Sequence, residues 1–136
     1  PGAAYIFERS GGVWGNAGSG CRTETAILRA REKENLDYFG SSVAISGNYA
    51  IVGAYWEGTN PVYPGAAYIF ERSGGVWGNA GSDCRTETKK LRAREKDHDD
   101  TFGSSVAISG NYAIVGASLE DTGGTDAGAA YIFEYS

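Results

Sequence analysis

Asp97, Asp99 and Asp100, with Glu95 and His98 beside them, are the residues of this 136-residue chain best suited to chemistry. Closely spaced carboxylates are how proteins surround a hard cation that takes six to eight oxygen ligands. The stretch 63 residues earlier reads Glu34, Asn35, Leu36, Asp37, so only one aspartate is shared between the two places. A solvated loop without metal is therefore the expectation, and Asp97, Asp99 and Asp100 are the candidates if a cation is held there. His98 is the only histidine, which excludes a Ser-His-Asp triad or a multi-histidine metal site within one chain. Cys21 and Cys84 have no CxxC neighbour and no repeat-equivalent histidine, so they carry no catalytic motif. They are candidates for a disulfide to another chain, the alternative being free or packed thiols. Gly11-Gly12 and Gly123-Gly124 lack the Lys-Ser/Thr of a phosphate loop and read as turns. No enzymatic activity is expected.

The aromatic residues offer a second chemistry, recognition of sugars by ring faces. Trp14 and Trp77 each follow a Gly-Gly-Val turn and are expected to pack, whereas Tyr55 and Trp56 sit in a variable stretch and are the better recognition candidates. The second copy has Ser118-Leu119 in their place. A net charge of -5 argues against nucleic acid, because a phosphate-binding surface needs clustered Lys and Arg unopposed by acids. The basic clusters, Arg29 with Arg31 and Lys89 to Arg94, alternate with Ala, Glu or Leu and read as solvated strand faces. No apolar run approaches the length needed to cross a bilayer. The start at Pro1, in phase with the repeat, suggests a processed or excised segment.

These residues are positioned by a repeat. PGAAYIFERSGGVWGNAGS begins at Pro1 and Pro64, CRTET at Cys21 and Cys84, and FGSSVAISGNYAIVGA at Phe39 and Phe102, each offset by 63. GAAYIFE recurs from Gly128. The expected organisation is repeat one at 1–63, repeat two at 64–126, and the first strand of a partial third repeat at 127–136. The 14 differences between the two copies fall at position 20, positions 26 and 27, and the segments 34–38 and 55–63. Phe39 to Ser46 alternates large and small residues and predicts a strand, Ser46-Gly47-Asn48 a tight turn, and Tyr49 to Ala54 the returning strand. Ala66 to Glu71, like Ala3 to Glu8, predicts a third strand, and Thr86 to Arg94 a fourth. Four antiparallel strands with small residues opposite large ones predict an all-β fold of tandem, four-stranded β-propeller-type blades. A β-solenoid is the alternative, but its strands run parallel, whereas Ser46-Gly47-Asn48 reads as a hairpin turn.

FGSSVAISGNYAIVGA followed by GAAYIFE resembles the FG-GAP repeat family, in its bacterial-type variants. The FG pairs are Phe39-Gly40 and Phe102-Gly103, and the GA elements Gly53-Ala54 and Gly116-Ala117. The aromatic strand carries Tyr5 and Phe7, Tyr68 and Phe70, and Tyr131 and Phe133. The resemblance implies propeller blades on an extracellular or cell-surface protein used for adhesion, recognition or scaffolding. Distant relatives such as the integrin α-subunit propeller hold calcium in a D-x-D-x-D-G loop between the first two strands. Here that loop is only Ser46-Gly47-Asn48-Tyr49 and Ser109-Gly110-Asn111-Tyr112, so calcium does not carry over and no cofactor is expected.

Two blades cannot close a propeller, so further repeats or other chains are the expected partners. The strand sequence is three-four, one-two-three-four, one-two-three. A terminal blade lacking its fourth strand invites Thr23 to Arg31 of another chain, with Tyr5, Phe7, Tyr131 and Phe133 on the strands concerned. Head-to-tail addition that does not close gives a filament. A carbohydrate- or protein-binding propeller, with a pocket at 55–63 and 118–126, is the alternative.

Overall fold

The structure, a computed structural model, describes residues 2–32, 37–58, 64–94, 100–120 and 127–136. Every regular element among them is a strand. The second of three main sheets is the most complete. Ser42–Ser46, Tyr49–Ala54, Ala66–Ser73 and Lys89–Leu91 pair antiparallel in chain order. Gly47, at a φ of 55°, and Asn48 make the turn between the first two of these strands. Val76–Trp77 folds back on the end of Ala66–Ser73. In the third sheet Phe102–Ser109, Tyr112–Ala117 and Ala129–Glu134 repeat the first three strands. In the first sheet Ala4–Ile6 pairs with Ala26–Leu28, and Leu28 meets Arg85 of the Asn79–Ala80/Arg85–Thr86 hairpin. Two small hairpins, Arg9–Ser10 with Val13–Trp14 and Asn16–Ala17 with Arg22–Thr23, complete the set.

This is the all-β, antiparallel blade architecture that the alternation predicts. Parallel contacts are confined, among the described residues, to Leu28–Arg85 and the bridges Gly2–Phe39 and Gly65–Phe102. A coiled solenoid would instead pair its strands in parallel throughout. Two strand limits differ from expectation. The fourth strand is Lys89–Leu91 and not Thr86 to Arg94, because Thr86 pairs with Asn79 and Arg92 turns its guanidinium onto Glu57. The first strand of the second sheet begins at Ser42, because Phe39 is held against Gly2 and Gly40 takes a φ of 97°.

The sheets lie face to face, and period-two alternation divides their residues between two cores. Ala50, Val52, Tyr68, Phe70 and Trp77 face Ala4, Ile6 and Leu28 of the first sheet. Ile51, Ala67, Ile69 and Leu91 of the same sheet face Phe102, Val115, Tyr131 and Phe133 of the third. Each fully buried side chain of this size contributes roughly 1.5–3 kcal/mol through removal from water. The FG phenylalanines lock the aromatic strand edge-on: Phe39 lies 5.3 Å from Tyr68 and 6.1 Å from Phe70, and Phe102 lies 5.4 Å from Tyr131 and 6.0 Å from Phe133.

Candidate functional site

Glycine sets how closely neighbouring sheets approach. A Cβ on Gly2 would fall on the carbonyl oxygen of Phe39, one on Gly65 on that of Phe102, and one on Gly53 on that of Gly103. Backbone meets backbone at these points, which a side chain forbids. The Ser42 hydroxyl adds a hydrogen bond of 2.8 Å to the Gly103 carbonyl across the same seam.

A polar latch closes the outer end of the seam between the first and second sheets. Arg72 donates through Nε to Glu8 Oε2 at 3.0 Å and through Nη2 to Oε1 at 3.3 Å, and Trp77 Nε1 donates to Oε2 at 2.9 Å. The Arg72 guanidinium, and then the Trp77 indole, hold the Glu8 carboxyl below the usual carboxylate range. A depressed folded-state value stabilises the latch above the unfolded carboxylate range, and that stabilisation is lost as pH falls through the lowered value. Melts of the wild type and of Glu8→Gln should therefore differ at neutral pH and converge in acid. Curves that stay parallel would show that the latch is not what titrates.

A second carboxylate cluster ties the strands of the second sheet together. Glu57, buried just beyond the end of the Tyr49–Ala54 strand, takes Lys90 Nζ at 2.6 Å and Arg92 Nη2 at 2.6 and 2.8 Å. Lys90 Nζ also sits 5.6 Å from the centre of the Tyr68 ring, and burial pushes the Tyr68 hydroxyl well above its ordinary pKa. These groups cap a strand edge and present no open nucleophile or acid–base pair.

The outer faces of the stack carry its largest exposed apolar residues. Tyr5 is 54% exposed where its equivalent Tyr68 is 1%, and Trp14 is 54% where Trp77 is 3%. At the other end Ile114 is 41% and Ile132 64% exposed, whereas Ile51, the equivalent of Ile114, is fully buried. Identical sequence thus lies covered inside the stack and uncovered at its ends. Val43 and Ile45 are exposed at the first end for the same reason, while Val106 and Ile108 pack into the second core.

The other expected site residues are placed as follows. Asp97 and Asp99, with His98, lie outside the described residues. Asp100 is buried, as is its equivalent Asp37, and its carbonyl receives the Leu119 N–H at 3.3 Å. Trp56 N–H reaches the Asp37 carbonyl at 3.4 Å in the same way, so this shared aspartate position organises a loop. No group of three or more His, Cys, Asp or Glu positioned for a metal occurs among the described residues. Cys21 and Cys84 are free thiols on turns of the small outer hairpins. Tyr131 and Phe133 face Phe102 inside the second core, and Tyr5 and Phe7 face outward. Tyr55 stacks on Tyr38 at 5.2 Å and meets Trp56 edge-on at 6.3 Å. Tyr38 had no signal of its own, but it changes together with Tyr55: the second copy has Thr101 and Ser118, whose hydroxyls lie 3.1 Å apart.

Antiparallel blades laid face to face, with glycines at each close approach and an aromatic strand pinned by a phenylalanine, define a tandem β-repeat of the propeller-blade class. The FG-GAP repeat model matches residues 23–70 and 86–133, more than half of the chain. The chain belongs to the FG-GAP repeat family. Comparison with curated proteins found no match. No helix in the described residues is long and apolar enough to cross a membrane.

Proposed function

We propose that the chain is a structural and adhesive module of an extracellular or cell-surface protein, working through non-enzymatic extension of its stack of sheets by further copies, head to tail. The carrying observation is the seam between the second and third sheets, where Gly65 and Gly53 meet the backbone of the next sheet and Ser42 bonds across it, a contact that each further repeat can reuse. In the second sheet the edge of the aromatic strand is covered by Lys89–Leu91. In the third sheet a cavity of about 560 Å³ lies along that edge, bounded by Arg92, Glu120, Tyr131 and Phe133. Ala26–Leu28 of a further repeat, in the same chain or in another copy, has the length of the strand that covers this edge in the second sheet. At the opposite end a cavity of about 530 Å³ lies beside Ala4–Ile6, with Val43 and Ile45 in its wall.

Negative-stain microscopy and sedimentation of the purified chain test this, with and without reductant, so that strand pairing is separated from disulfides through Cys21 or Cys84. Rods or concentration-dependent oligomers that persist in reductant are expected. Discrete monomers at every concentration would sink the reading. The half-exposed cluster of Tyr38, Tyr55 and Trp56 favours a second reading, glycan recognition by ring stacking, which a glycan array separates from the first.

A further inference from the structure

We infer that the loops 37–38 and 55–57 form a binding site for a neutral pyranoside whose C–H face lies on the ring of Tyr38, and that positions 38 and 55 decide which copies of the repeat bind. This rests on the glycan reading given above and names the class of sugar and the residues that select it.

The two copies differ most in the segments 34–38 and 55–63, where they share only Asp37 with Asp100, Glu57 with Glu120, and Thr59 with Thr122. All four of these acidic residues are buried. The backbone around them is the same in both copies. The Asp37 carbonyl takes the Trp56 N–H and the Asp100 carbonyl the Leu119 N–H. Glu57 and Glu120 donate their N–H groups to Ala54 and Ala117 and accept from Gly65 and Gly128. Tyr38 and Thr101, next to the buried aspartates, sit at φ values of 57° and 61°, a left-handed conformation that bulky and β-branched residues seldom adopt. Such strain persists where the surrounding structure over-determines it, and it clusters at ligand clamps.

On this common frame the two copies build different surfaces. In the second, Thr101 is buried, with its hydroxyl 3.1 Å from that of Ser118 and accepting the Leu119 N–H at 3.3 Å, so the loops close on each other. In the first, the Tyr38 ring lies parallel to that of Tyr55 to within 5°, and Trp56 meets Tyr55 edge-on. Tyr55 covers one face of the Tyr38 ring, yet Tyr38 remains 47% exposed. A ring backed by a second ring is oriented before a ligand arrives, which lowers the entropic cost of binding. Among the described residues beside the rings, Asp37 and Glu57 are matched by Lys90 and Arg92, both of them on Glu57. Neither sign is in excess, which favours an uncharged ligand. A pyranose with equatorial hydroxyls meets these conditions: its axial C–H bonds make an apolar face for the ring, and its hydroxyls make a polar rim for the phenolic O–H groups.

NMR titration of the full chain with cellotetraose, a neutral chain of equatorially substituted glucose, tests this beside two variants. The wild type should show saturable shifts centred on the two loops. Tyr38→Thr with Tyr55→Ser places the residues of the second copy on the same frame, and should keep the circular dichroism of the wild type while weakening binding on the order of tenfold or more. The reverse exchange, Thr101→Tyr with Ser118→Tyr and Leu119→Trp, should add a second site. Unchanged affinity in the first variant, a folded reverse variant without a second site, or tighter binding of tetragalacturonate than of cellotetraose would overturn the proposal while glycan recognition stands. Absence of shifts with cellotetraose overturns it too, and a blank glycan array then removes the glycan reading as well.

Discussion

Phe102→Ala should lower the unfolding free energy by about 3–5 kcal/mol, the range for removing a buried aromatic ring whose surroundings cannot collapse. Phe102 is among the largest fully buried side chains and touches both aromatic residues of the Ala129–Glu134 strand edge-on. It also stands where the chain crosses from one sheet to the next, its N–H donating to the Pro64 carbonyl at 3.1 Å. A domain of this size has about 5–15 kcal/mol in total, so the loss approaches global unfolding. Phe7→Ala, at a ring 44% exposed, should cost less than about 1 kcal/mol. Urea denaturation of the two variants gives the comparison, and similar losses would mean that the described core is not the one that holds the protein together.

The second large effect is expected at Gly65. An alanine there would combine a φ of 93° with a Cβ lying on the Phe102 carbonyl oxygen, and backbone cannot swing aside as a flexible side chain can. Backbone strain and forced separation of the sheets together should cost about 3 kcal/mol or more. Gly74 has a φ of 59° but open space around it, so Gly74→Ala should pay only the backbone term, about 1 kcal/mol. Thermal melts should place the two midpoints roughly 10 °C apart. Equal shifts would show that left-handed conformation, and not inter-sheet contact, is what fixes glycine at Gly65.

Much of this architecture could be read from the chain alone, and the limits of that reading have a physical cause. Period-two alternation in Tyr49 to Ala54 and Ala66 to Glu71 assigns Val52 and Tyr68 to one face and Ile51 and Ile69 to the other, and the two cores divide along that line. The small outer hairpins were not legible, because strands of two residues carry no periodicity. They are held by Arg22 Nε on the Trp14 carbonyl at 2.7 Å and by Arg85 Nε on that of Trp77 at 2.6 Å. The Glu8 latch was equally silent, since its partners lie more than sixty residues away in a different sheet. Trp14 and Trp77 mark the boundary most clearly. Their local sequences are identical, yet one is exposed and the other enclosed, because what covers a residue here is contributed by a neighbouring sheet.

The second sheet draws Ser42–Ser46 and Tyr49–Ala54 from one copy of the repeat and Ala66–Ser73 and Lys89–Leu91 from the next. One sheet therefore combines residues on both sides of Pro64, at which the 63-residue period counted from Pro1 starts again. Unequal recombination between two such genes would insert or delete one whole period wherever the crossover fell. Each event would add or remove one complete blade while leaving both ends of the stack unaltered. Length can vary by whole blades in such a lineage without any new surface having to be invented.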